Sequence, residues 1–179
     1  MPAMYEGQTP KLDERCKGFI TVDHVKAAVK KLAAMDMAQK EKLADDIVRE
    51  QPALFTSFVV QRQFGVSVEK MEFLLGILFV CFLSMKETAL SWPKITDDDG
   101  DACMTRYVKS VEFGKDIDAE RRHNLVLQFV EQHHEQALLA YVQVEVANWL
   151  KRIEPEDSDR FVALAATNMV NCISYTRGH

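Results

Sequence analysis

FLLGILFVCFL, Phe73 to Leu83, is an unbroken apolar run of 11 residues, and its reading decides the fold. A bilayer-spanning helix needs about 20 such residues, whereas a run of roughly 10–14 is the length of a buried core helix. Glu69, Lys70 and Glu72 close the run on one side, Lys86 and Glu87 on the other. A helix that is apolar all round must be covered all round by its neighbours. The expectation is a soluble all-α protein: a single globular multi-helix bundle of roughly seven helices around a buried central helix near 68–90.

Composition supports that class. The 179 residues are enough to bury a core, and 47% are apolar against 27% charged, an ordinary globular balance. Only 7 Gly and 5 Pro leave little material for the turns of a sandwich or barrel. A net charge of −5 opposes non-specific attraction to phosphate backbones. Cys16, Cys81, Cys103 and Cys172 are scattered and form no C-x-x-C, which fits neither a zinc framework nor a disulfide scaffold. MPAMYEGQTPKLDERCKGF at the N-terminus contains no apolar h-region, so a cytoplasmic home with reduced thiols is expected.

Outward from the central run, punctuation marks the other helices. Residues 1–18 carry Pro2, Gly7, Pro10 and Gly18 without periodicity and read as a flexible arm before one helical domain, 19–179. Thr21 or Asp23 caps a first helix with Val25, Val29, Leu32 and Met35 at three- and four-residue spacing. A second spans Met37 to Glu50, turning Leu43, Ile47 and Val48 inward. Pro52 opens a third, which runs to about Gln63, and Ser67 caps the central one. Asp118 starts a segment bearing Leu125, Leu127, Phe129 and Val130; its reach to Ile153 is too long for one helix and breaks near His133-His134. The last helix begins at Asp159, with Asn168 and Asn171 facing inward.

Two motif resemblances fail on inspection. Phe64-Gly65-Val66-Ser67 resembles the corner of a helix-turn-helix, and Val60, Phe64, Val66, Met71 and Leu74 fit its buried framework. The following helix, however, would offer Val68, Glu69, Glu72 and Phe73 to a groove, with Lys70 its only cation, and carboxylates repel the backbone. DNA binding through 60–75 is therefore a minor alternative, and nucleic acid is not an expected partner. TDDDGDA, Thr96 to Ala102, resembles an EF-hand loop but places Ile95 and Arg106 where two essential ligands belong. Its carboxylates suit a helix N-terminus instead.

Chemistry concentrates in DAERRHNLVLQFVEQHHEQ, Asp118 to Gln136. Glu120-x-x-His123 recurs 11 residues later as Glu131-x-x-His134, so both pairs can share one helical stripe. The unit resembles the ligand pair of di-iron carboxylate bundles. Those bundles take their pairs from different helices, whereas these lie about 16 Å apart on one segment. Glu120, His123, Glu131 and His134 form the candidate metal or small-ligand site; no cofactor is otherwise expected. No nucleophile elbow, Walker loop or dinucleotide fingerprint is present. Cys81 and Cys172 lie on apolar faces and read as small core hydrophobes. Trp92, before Pro93, is the candidate interface anchor if it does not fold back over the core. The leading expectation is a non-enzymatic cytoplasmic interaction or regulatory protein, a homo-oligomer or partner of another protein, with no membrane association.

Overall fold

The computed structural model describes residues 18–113 and 116–177. Of the arm 1–18, all but Gly18 lies outside them, as does Cys16. Among the described residues the chain forms eight α-helices and no strand: α1 Val22–Ala34, α2 Met37–Glu50, α3 Pro52–Val59, α4 Val68–Glu87, α5 Asp97–Phe113, α6 Ala119–Gln132, α7 Gln136–Leu150 and α8 Asp159–Arg177. None of them is long and apolar enough to cross a membrane.

Local chemistry sets the boundaries. Thr21 caps α1, accepting the His24 backbone N–H while the His24 ring accepts the Thr21 N–H; Asp36 and Gln39 form the same reciprocal box at α2. Pro52 occupies the first turn of α3. The expected run to Gln63 is interrupted, because α3 ends at Val59 and tightens into a 3-10 turn, Val60–Phe64. Gly65 then leaves that turn at φ 80°, a left-handed conformation that favours glycine, before the Ser67 side chain caps α4. The acidic TDDDGDA cluster becomes the first turn of α5, and Asp118 caps α6.

α4 is the axis of the molecule. Every residue from Ile77 to Met85 is buried, which only a helix enclosed by others allows. α1, α3, α7 and α8 supply the enclosure. Fully buried leucines such as Leu74 and Leu78 each contribute about 2 kcal/mol. Phe73 stacks on Trp149 at 4.6 Å between ring centroids and fastens α4 to α7. Near the start of α4 the Lys70 ammonium is buried against the Asp159 carboxylate of α8, with Glu156 at 2.7 Å.

Some apolar residues face away from this core. Val29 and Val48, expected inside, lie on the exposed sides of α1 and α2, and Leu125 and Leu127 are exposed on α6. Val25 on α1 and Leu43 and Ile47 on α2 are buried as expected, with Ala28 beside Val25.

Candidate functional site

α6 differs from every other long helix. It alternates Arg121, Arg122 and Glu131 with Leu125, Val126 and Phe129, yet buries no residue. Leu125, Val126 and Leu127 are 42%, 45% and 47% exposed. The helix is fastened to the bundle at its C-terminal end. There Phe129 stacks on Tyr107 of α5 at 5.9 Å and meets the His133 ring edge-on at 5.6 Å.

This arrangement opens a groove between α5 and α6. Tyr107, Val111, Arg122, Leu125, Val126 and Phe129 line a space of about 640 Å³, with Gln143 of α7 beneath. Tyr107, Ser110 and Phe129 also border a second cleft of about 450 Å³, which continues between α5 and α8 to Cys103, Arg106, Asn171 and Tyr175. The groove is apolar along α6 and polar at its α8 end.

The polar end is built from side chains held by one another. His133 Nδ1 accepts the Glu135 N–H at 3.0 Å, so Nε2 carries the proton and faces Asn171 Oδ1 at 3.1 Å. Burial pushes the His133 pKa below its ordinary value, which keeps the ring neutral. Burial likewise raises the Tyr107 hydroxyl, a donor that stays protonated. Arg106 lies over the Tyr175 ring at 4.3 Å and reaches Cys103 Sγ at 3.8 Å. Neighbouring Glu135, itself buried, accepts Phe19 N–H at 3.2 Å and Ile20 N–H at 3.0 Å, tying the entry of α1 to the start of α7.

The Glu/His stripe is divided by this geometry. Glu120, His123 and Glu131 lie on α6, but the helix ends at Gln132, His133 takes an extended backbone, and His134 follows in the connection. Among the described residues no group of three or more His, Cys, Asp or Glu side chains could hold a metal ion. Trp92 folds back over the core: its indole N–H donates to Met85 O and Thr88 Oγ1, each at 3.0 Å, and its ring meets Phe19 edge-on. In the helix-turn-helix-like corner Phe64 is half exposed and stacks on Phe161 of α8 at 5.1 Å. Gln61, four residues before the Gly65 corner, is buried and donates to Ser57 O at 2.9 Å.

Sequence reasoning did not find the cluster of Cys103, Arg106, Asn168 and Cys172. Cys103 and Arg106 lie three apart on α5, and Asn168 and Cys172 four apart on α8, so each pair shares a helix face. That spacing was the available signal; the meeting of the two faces was not. No family model matches the chain, and comparison with curated proteins and with solved structures finds no match.

Proposed function

We propose that this is a non-enzymatic, cytoplasmic helical interaction protein that self-associates through the apolar side of α6. One observation carries the reading: an amphipathic helix with no buried residue, beside an apolar groove. Isolated helices of this length are marginal in water and draw most of their stability from packing an apolar face. A second copy of the chain fits that face. Arg122, Leu125, Val126 and Phe129 are spaced symmetrically about the 125–126 peptide. An antiparallel partner therefore sets Leu125 of one copy on Val126 of the other, and a two-fold axis buries the same patch twice. Antiparallel pairing also opposes the two macrodipoles favourably. Free thiols at Cys81, Cys103 and Cys172 accord with a reducing compartment.

Sedimentation of the full chain over a wide concentration range tests this. The expected mass rises from monomer to dimer, and Leu125→Glu with Val126→Glu holds it at the monomer while the circular dichroism stays helical. A strict monomer removes the proposal, and a dimer that survives both substitutions removes α6 as its seat.

A further inference from the structure

We propose that Cys103 and Cys172 form a hydroperoxide-sensitive dithiol that closes into a reversible disulfide between α5 and α8. Two contacts between α5 and α8 bracket the cysteines: Asn168 Nδ2 donates to Gly100 O at 3.3 Å on one side, and Arg106 lies over the Tyr175 ring at 4.3 Å on the other, which sets Cys103 and Cys172 level with each other on facing sides of the two helices. Cys103 borders the cleft between α5 and α8, while Cys172 borders a separate apolar cleft against α3. Each sulfur has a second polar neighbour: Arg106 Nη2 lies 3.8 Å from Cys103, and Asn168 Nδ2 lies 3.7 Å from Cys172. Asn168 is buried, donates also to Gly100 O at 3.3 Å, and leaves its own Oδ1 without a partner beside the Cys172 cleft.

These contacts give the sulfurs different roles. The Cys172 thiol and, after it, the Arg106 guanidinium at 3.8 Å hold the Cys103 pKa down to about 7. The Cys103 sulfur, together with burial, raises the Cys172 thiol above the ordinary range. Cys103 is thus the attacking sulfur and Cys172 the resolving one. Cys81, enclosed within α4, is pushed by burial up to about 12 and serves as an inert internal comparison.

The oxidation balances with a hydroperoxide, ROOH. The Cys103 thiolate attacks the terminal peroxide oxygen, the O–O bond breaks, and RO⁻ leaves to collect a proton as ROH. Cys103 is then a sulfenic acid, S–OH. The Cys172 sulfur attacks the Cys103 sulfur, the S–O bond breaks, and hydroxide leaves with the Cys172 proton as water. Two thiols are oxidised and one peroxide is reduced; a dithiol reductant reverses the bond. Transient disulfides of this kind are the usual ones in a reducing compartment.

The test is peroxide treatment of the reduced full chain with hydrogen peroxide, followed by alkylation and non-reducing peptide mapping. The expected product joins the Cys103 and Cys172 peptides and is released by dithiothreitol. In Cys172→Ser, dimedone should instead trap a sulfenic acid on Cys103. Iodoacetamide should label Cys103 at least about tenfold faster than Cys81 at pH 7, because Cys103 borders the cleft beside Arg106 whereas Cys81 is enclosed. Its labelling should be half-maximal near pH 7, and Arg106→Gln should move that midpoint upward, with Asp99 and Cys172 the other titratable groups facing the sulfur. A peroxide product that leaves both thiols unlinked, joins either to Cys16, or stops at a sulfinic acid on Cys103 in the wild type overturns the proposal.

Discussion

The Lys70 ammonium on α4 is buried against the Asp159 carboxylate at the first residue of α8, and Asp159 Oδ2 also accepts the Glu156 backbone N–H at 2.8 Å. The central helix and the last one are thereby registered by charge as well as by their apolar contact. Removing one member of such a pair strands the other away from water. Lys70→Met should therefore lower the unfolding free energy by about 3 kcal/mol. Adding Asp159→Asn should recover much of that loss, since the stranded charge is gone. Chemical denaturation of the wild type, both single variants and the double variant measures the coupling. Additive losses would mean that the two groups act independently. Glu156, largely exposed, should matter far less.

The same pair has a signature in alkali. Burial disfavours the Lys70 ammonium, but hydrogen bonds and charge from Asp159 and Glu156 outweigh it and hold its pKa above the ordinary value. A lysine raised in the folded state contributes stability that is fully present below its unfolded pKa, about 10.4. That contribution is lost as pH climbs through the higher folded value. The stability gap between wild type and Lys70→Met should be constant near pH 8 and narrow above about pH 10.4. Urea unfolding at a series of alkaline pH values reads it directly, and a gap that persists unchanged would show that Lys70 acts through packing alone.

What the sequence disclosed follows the range of the physics involved. The all-α class, the limits of α2, the Pro52 start and the Ser67 cap rest on interactions within one turn of chain, and the structure reproduces them. The burial of α4 was legible because a run apolar on every side can be satisfied only by enclosure. Val29, Val48, Leu125 and Leu127 went the other way. Periodicity locates an apolar stripe, but the neighbouring helices decide how the stripe is turned. The candidate site lay further out of reach. The Asn168 to Gly100 bond, the Arg106 to Tyr175 contact and the His133 to Asn171 bond join α5 and the α6–α7 connection to α8 across long stretches of chain, and nothing local announces them.

The approach of α1 to α7 depends on one glycine. Gly18 has φ 146°, and a Cβ built there would lie 2.3 Å from His134 O and 2.9 Å from Glu135 Oε2. The backbone carbonyl cannot move aside, because Glu135 beside it holds the Phe19 and Ile20 N–H groups. Gly18→Ala should cost about 1–3 kcal/mol through backbone strain and displacement of that carboxylate. Glu135→Leu should cost a similar amount by leaving two backbone donors unmatched. Hydrogen exchange separates these from a general loss of stability: protection should fall first at Phe19 and Ile20. Unchanged protection there would mean that the anchor is redundant.

His133 supplies the acid-side counterpart. Burial lowers its pKa, and the ring holds the C-terminal end of α6 beside α8 only as the neutral tautomer donating to Asn171. A histidine depressed in the folded state takes up its proton more readily in the unfolded chain. Stability should therefore be unaffected above the unfolded pKa of about 6.5 and decline as pH falls below it toward the folded value. His133→Gln keeps a donor for Asn171 but cannot titrate, so its stability should be flatter over the same window. The ring resonance of His133 should titrate below about pH 6.5 by NMR. A midpoint at or above that value would remove the neutral ring, and with it this account of how the loosely packed α6 is fastened at its C-terminal end.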